Sequence, residues 1–244
     1  FGGSVDAKYL VSTFNADDSY DIDEGWDGKG QFWLAIQDPT TGNRLFETDG
    51  ASSQNFDVTN FSQPVIYNAT LLGNNSGGDQ NMFHLATQGY GGQLWNSLIM
   101  NKETGVTIDI EDFAGQADRL IGNGGPLAWA HNKWYGMTTL VAVGADSTQV
   151  AAGTDTAVAN QATADLVANN NTLVDQLPIT DATVNTTSPA LNLIPVANAG
   201  ANDTISPAAT PSDNFYTPAS YIGAVPASGP AWAAWTKTAA VLLP

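Results

Sequence analysis

VIYNATLLG, residues 65–73, is the stretch on which the fold turns. An apolar run reaches an Asn, a small residue follows, and a second apolar run begins at once. QLWNSLIMN (93–101) and WAHNKWYGM (129–137) repeat the arrangement, with Asn68, Asn96 and Asn132 each behind an aromatic or imidazole side chain. The spacing is irregular, about one coil plus variable loops. A strand unit that recurs every ~20–50 residues and cannot bury its own apolar face marks a solenoid. Asn suits its corners, because it tolerates left-handed backbone geometry while its amide bonds neighbouring backbone groups. Stacked corners predict an Asn ladder.

Working outward, β-rich runs bounded by Gly, Asn and Asp recur at Val5–Phe14, Gln31–Gln37, Val65–Leu72, Met82–Ala86, Gln93–Met100, Val106–Ile110 and Leu127–Tyr135. No amphipathic helical pattern of convincing length precedes residue 140. The opening block NADDSYDIDEGWDGKGQFWLAIQD (15–38) alternates, so Tyr20 and Ile22 share one strand face and Ser19, Asp21 and Asp23 the other. VTIDIED (106–112) does the same, with Val106, Ile108 and Ile110 opposite Thr107, Asp109 and Glu111. Residues 1–144 therefore read as parallel β-helix coils. Residues 145–244 read as the final coil or coils and a Pro/Ala/Thr-rich segment packing on the column. A short helix is expected over Ala162–Ala168, broken by Asn169–Asn171, and residues 179–230 as extended chain wrapping a preformed body. Phe215, Tyr216 and Tyr221, then Trp232 and Trp235, are its expected staples.

The chain has 244 residues, 43% of them hydrophobic, enough for one sizeable core. Seven Lys plus Arg face 24 Asp plus Glu, a formal charge of -17 that repels nucleic acid and anionic membranes. Cysteine is absent, which excludes disulfides, thiolate metal sites and a cysteine nucleophile. No apolar run approaches the ~20 residues that span a bilayer. Only 13% of residues are charged, and Asn, Thr, Ser, Gln and Gly carry the polar surface. That texture fits an extracellular or bacterial cell-surface location.

Asp17, Asp18, Asp21, Asp23 and Asp27 offer the hard oxygen ligands that Ca2+ prefers, with glycines that let carbonyls converge. They are the candidate metal ligands, although the spacing is not that of an EF-hand loop. An acidic, solvated rim is the competing reading. Carboxylate pairs such as Asp21/Asp23 or Asp109/Glu111 satisfy the separation for glycoside hydrolysis only in the weak sense that an acidic chain must contain such pairs. No nucleophile elbow, phosphate-cradling loop or dinucleotide fingerprint occurs. Among the seven tryptophans, Trp26 on the Gly25–Gly28 turn is the one expected to be free for stacking on a sugar.

Four blocks, FGGSVDAKYLV, ADDSYDIDEGWDGKGQFWLAIQD, LWNSLIM…GVTIDIED and DNFYTPASYIGAVPASGPAWAAWT, span nearly the whole chain. Together they resemble bacterial secreted and lipoprotein-type proteins of the pectate-lyase-like superfamily. The resemblance implies an all-β fold, a right-handed parallel β-helix, and an exported life. It further implies that the chain is the C-terminal half of a longer parent. The open edge of its first coil would then be covered by the parent's N-terminal part, by identical subunits, or by stacking into a fibre. Polysaccharide lyases on this fold combine calcium with a basic side chain, which makes Arg119 the candidate base; His131 is a second candidate acid or base. The competing readings pair Arg119 with Asp118 or Asp112 and make His131 a turn residue. The leading expectation is a non-enzymatic, calcium-stabilised surface scaffold. The alternative is a polysaccharide-binding or lyase-type β-helix protein.

Overall fold

Six residues in left-handed backbone geometry set the shape of the molecule. Tyr9, Phe32, Asn68, Asn96, His131 and Asn170 have φ between 52° and 61° and recur once per coil. The first five turn the chain from one short strand into the next, and Asn170 turns it from a helix into a last short strand. The computed structural model describes residues 2–50, 60–74, 82–102, 104–110, 119–145, 154–184 and 192–228.

Five coils of three strands each follow from these corners. Coil 1 holds β1 (Ala7–Lys8), β2 (Val11–Thr13) and β3 (Tyr20–Ile22). Coil 2 holds β4 (Lys29–Gln31), β5 (Leu34–Ile36) and β6 (Phe46–Asp49). Coil 3 holds β7 (Val65–Tyr67), β8 (Thr70–Leu72) and β9 (Met82–Thr87). Coil 4 holds β10 (Gln93–Trp95), β11 (Leu98–Met100) and β12 (Thr104–Ile110). Coil 5 holds β13 (Ala128–Ala130), β14 (Lys133–Tyr135) and β15 (Thr139–Ala145). The helix α1 (Thr154–Ala168) and a last rung, β16 (Thr172–Leu173), follow. Stacking produces three walls, all parallel: sheet A, β1-β4-β7-β10-β13; sheet B, β2-β5-β8-β11-β14-β16; and sheet C, β3-β6-β9-β12-β15. The fold is an all-β parallel β-helix.

Period-two alternation decides what fills the column. Ile66, Leu94 and Trp129 stack inward from sheet A, and Ala35, Leu71, Ile99 and Trp134 from sheet B. Phe46, Val106 and Ile108 point inward from sheet C, as do Tyr20 and Ile22, while Asp21 is exposed outside. Rings dominate the lower core: Trp33 lies parallel to Phe46 (6.2 Å between centroids), and Phe83 meets Trp134 edge-on at 5.4 Å. α1 lays Val158, Ala162 and Leu166 over the coil-5 end and closes it. The helix begins at Thr154, eight residues before the expected Ala162, because the Ala-rich run upstream has helical propensity without an apolar stripe to announce it. It stops at Ala168, and left-handed Asn170 redirects the chain into β16.

Sheet B is apolar on both faces. Its outward residues Leu34, Ile36, Leu72, Leu98 and Met100 are as buried as its inward ones, because the rest of the chain covers them. An antiparallel pair, β17 (Ile179–Asp181) and β18 (Asn192–Pro195), contributes Ile179 and Leu193 to this second core. A strap of extended chain, residues 199–225, then runs back along the column and ends with Ile222 and Val225 on the same patch. Trp232 and Trp235 lie outside the described residues.

Candidate functional site

The outer corner between sheets A and B carries the densest polar chemistry, and the strap occupies it. The Asn96 amide meets both backbone groups of Ala208: its Oδ1 accepts the Ala208 N–H and its Nδ2 donates to the Ala208 carbonyl, each at 2.8 Å. Gln31 does the same to Thr217, with both bonds at 2.8 Å. Asn68 Nδ2 donates to Tyr221 O at 2.8 Å, and Tyr216 Oη to Val65 O at 2.7 Å. Cations finish the seam. Lys133 pairs with Asp203 at 2.6 Å in a nearly dry setting, Lys29 pairs with Asp213 at 2.7 Å, and Lys8 donates to Thr217 Oγ1 at 2.9 Å over the Phe215 ring. The Lys29 ammonium and the Tyr216 and Phe215 N–H groups hold the Asp213 carboxyl down at about 2. Beside the seam, rings stack along the column axis: Tyr9 on Phe32, and Tyr67 on Trp95 on His131.

The third repeat is shifted by one residue from the register its sequence suggests. Pairing aligns Trp95 with Ala130, so His131, not Asn132, takes the left-handed corner. Asn132 instead faces inward, below the corner. There its Oδ1 accepts the Ser97 N–H at 2.8 Å, as Ser97 Oγ accepts that of Ala69 at 3.0 Å. The Asn171 carboxamide continues this inner ladder by donating to Trp129 O and Leu166 O. These side chains satisfy buried corner amides that no strand partner reaches.

The candidate catalytic residues flank β13 of sheet A, Arg119 beside the residue that leads into it and His131 at the corner that follows it. His131 uses both ring nitrogens: Nδ1 donates to Ser206 O at 2.8 Å, and Nε2 accepts from Asn170 Nδ2 at 3.3 Å. It is a corner residue that binds the strap. Arg119 lies against the Phe61 ring, 4.7 Å from its centroid, and its Nε and Nη2 make no hydrogen bond among the described residues. Burial lowers its pKa. Asp112 and Asp118, its expected partners, lie outside the described residues, as does Glu111. His84 is enclosed: Trp129 Nε1 donates to its Nδ1 at 3.1 Å and its Nε2 meets Thr48 Oγ1 at 2.8 Å. Burial pushes its pKa down to about 3, so it is a neutral packing residue. Trp26 is not free either. Its Nε1 donates to Val5 O at 3.0 Å, and its ring stacks on Trp33 at 5.9 Å.

The acidic block spreads rather than converges. Asp17 Oδ1 accepts from Asn43 Nδ2, Asp18 Oδ1 accepts the Arg44 N–H, and Asp23 Oδ1 caps the Glu24 N–H. Asp21 projects from β3, and the Asp27 N–H pairs with Gly3 O on the far side of the Glu24–Gly25 turn. Among the described residues no three His, Asp or Glu are grouped to hold a metal ion. The block's own chemistry is electrostatic. Burial, then a hydrogen bond that the protonated Asp18 carboxyl donates to the Glu47 side chain, raises the Asp18 pKa to about 7. Across the Asn43–Arg44 peptide sits Lys102, fully buried, whose Nζ donates to Asn43 O at 2.8 Å and to Asn74 Oδ1 at 3.2 Å. Burial brings its pKa down to about 8. Nothing in MNKET singled this lysine out; only the coil register places it under that loop.

One family model matches: the pectate-lyase-like beta helix domain, over residues 1–173. The chain belongs to that family. The match runs from coil 1 to the last rung of this pectate-lyase-like column, and the strap lies beyond it. No curated protein and no solved structure matches the chain.

Proposed function

We propose that this β-helix is a non-enzymatic scaffold of an exported or surface-displayed protein. The observation that carries the reading is the employment of the six cations among the described residues. Lys8, Lys29 and Lys133 hold the strap, Arg44 pairs with Glu47, Lys102 secures the coil-2 loop, and Arg119 packs on Phe61. A lyase needs a base beside an open binding groove, and a net charge of -17 repels the polyuronates such a groove would hold. The corner that would serve as a groove is filled by the strap. A composition in which Asn, Thr and Ser outnumber charges supports a place outside the cytoplasm. The test is incubation with a panel of polyuronates and neutral polysaccharides, following unsaturated products, reducing ends and co-sedimentation. Catalytic turnover on any of them overturns the scaffold reading; retention without turnover converts it to a binding module.

A further inference from the structure

Among the described residues Lys102 is the one fully buried cation, and its neighbour Asn74 is buried with it, at 1% and 6% exposure. The register of Leu72 with Met100 runs on past the strands, where the Gly73 N–H bonds Met100 O at 2.9 Å. It sets Asn74 of coil 3 beside Lys102 of coil 4. Gly73 makes the approach possible: a Cβ there would lie 2.8 and 2.9 Å from Lys102 Cγ and Cε, so the lysine stem runs over bare backbone. At the tip, Nζ donates to Asn43 O at 2.8 Å and to Asn74 Oδ1 at 3.2 Å. The other end of the carboxamide is gripped too, Nδ2 donating to Asp38 O and Thr41 O. Turning the amide over would lose these bonds and set its NH2 against the lysine. Oδ1 therefore stays at the lysine tip, with Cγ one C=O bond of about 1.2 Å behind it.

We propose that Lys102 and Asn74 are the site of an intramolecular isopeptide bond that ties coil 4 to coil 3. As the free amine, Lys102 Nζ attacks Asn74 Cγ. The Nζ–Cγ bond forms, the Cγ–Nδ2 bond breaks, and one Nζ proton passes to Nδ2, which leaves as ammonia. No oxidant, metal or further reactant enters the balance. Burial supplies the amine by bringing the Lys102 pKa to about 8, with the Asp18 charge opposing from the far side of the Asn43–Arg44 peptide. The other charged groups nearby are engaged, the Asp38 carboxylate by Thr40 and Arg44 by Glu47. The free amine keeps two N–H groups, enough for Asn43 O and Asn74 Oδ1, and gains the lone pair that attacks. Holding both groups in one dry corner replaces a bimolecular encounter. A recess of about 350 Å3 lined by Gln37, Gly73, Asn74 and Asn101 adjoins the carboxamide and gives the ammonia a way out. A chain without cysteine has no disulfide to tie its coils. The bond rests on the packing of coils 2 to 4 and not on the scaffold reading, so its failure and that of the polysaccharide test are separable.

Intact-mass spectrometry of the purified chain reads the reaction, because linkage removes the mass of one ammonia. The expected result is full linkage on purification, or partial linkage that proceeds on incubation. In the second case the rate should rise about tenfold per pH unit up to the Lys102 pKa of about 8 and level off above it. Protease mapping is expected to give one branched peptide joining residues 74 and 102. Lys102→Arg and Asn74→Ala are each expected to show no loss of ammonia. A full sequence mass that persists through prolonged incubation at about pH 9, above the Lys102 pKa, overturns the proposal. Ammonia loss that maps to any other Asn or Gln overturns it as well. If a variant fails to fold, the wild-type peptide map decides alone.

Discussion

Asn96 offers the sharpest test of what holds the strap. Its side chain is fully buried, its φ is 52°, and its amide makes two 2.8 Å bonds to Ala208. Asn96→Ala removes both bonds, each worth about 1 kcal/mol net, and leaves a Cβ residue in left-handed geometry at a further cost of about 1 kcal/mol. The Ala208 N–H and C=O are stranded as well, unless the strap lifts to let water in. A loss of about 3–4 kcal/mol is expected. Asn96→Gly removes the same bonds without the left-handed cost and should lose about 1 kcal/mol less. Urea unfolding of the three proteins measures the totals, and amide hydrogen exchange locates the effect. The Ala208 amide should lose protection in both variants. The Gly223 amide should keep more of its protection, because it donates to the Asn96 backbone carbonyl, which neither substitution removes. If Asn96→Gly matches the wild type, or Ala208 stays protected in both, the amide clamp contributes nothing and the seam is held by apolar contact alone.

The remaining predictions concern pH, a buried ion pair and metal. The His84 pKa is about 3 folded against 6.5 unfolded, so the unfolded chain binds the extra proton between those values. Stability from His84 is complete above pH 6.5 and falls away towards pH 3, by up to about 5 kcal/mol; His84→Leu should flatten the wild-type pH slope in that window. Asp18 acts with the opposite sign: its folded pKa is raised from 3.8 to about 7, so its contribution is full below 3.8 and lost as pH rises through 7. Asp18→Asn should therefore raise the melting temperature at pH 8 more than at pH 4. Asp203→Ala leaves the Lys133 ammonium without its carboxylate in a site where the two side chains are 14% and 3% exposed, an expected loss of about 3 kcal/mol. Adding Lys133→Met should recover part of it in a double-mutant cycle. A calcium chelator should leave the melting midpoint unchanged, and a fall on chelation would show that the acidic block holds an ion after all.

The column was legible because its signal is periodic. VIYNATLLG, QLWNSLIMN and WAHNKWYGM align on corners, and the alternation places Tyr20 and Ile22 opposite exposed Asp21 and sends Val106 and Ile108 inward; nothing is described of the Asp109, Ile110 and Glu111 side chains. The one-residue error at Asn132 has a physical source. His can hold a left-handed corner as Asn does, and an Asn one place later is wanted for the inner ladder, so the two letters exchange roles without changing the motif. What stayed illegible depends on register between distant coils. Lys102, on coil 4, bonds a carbonyl of the coil-2 loop, and Gln31 and Asn96 find Thr217 and Ala208 more than a hundred positions away. Trp26 looked free because it sits on a glycine turn, yet Gly28 is where a Cβ would strike its ring, so the turn exists to let that ring fold inward.

A solenoid bound only by neighbouring coils would fray from an end, since each coil is held by the next. The strap changes that arithmetic. It touches coil 1 through Lys8, coil 2 through Gln31, coil 3 through Asn68, coil 4 through Asn96 and coil 5 through Lys133. Loosening any one coil then disturbs contacts spanning them all, and it also uncovers the apolar outer face of sheet B. Amides rather than apolar residues do most of this binding because the strap must fix backbone groups at a set register while lying near water. A carboxamide can satisfy an N–H and a C=O of one residue together, and no hydrocarbon can. The Asn and Gln that first suggested the corners are thus also what makes the column fold as one unit.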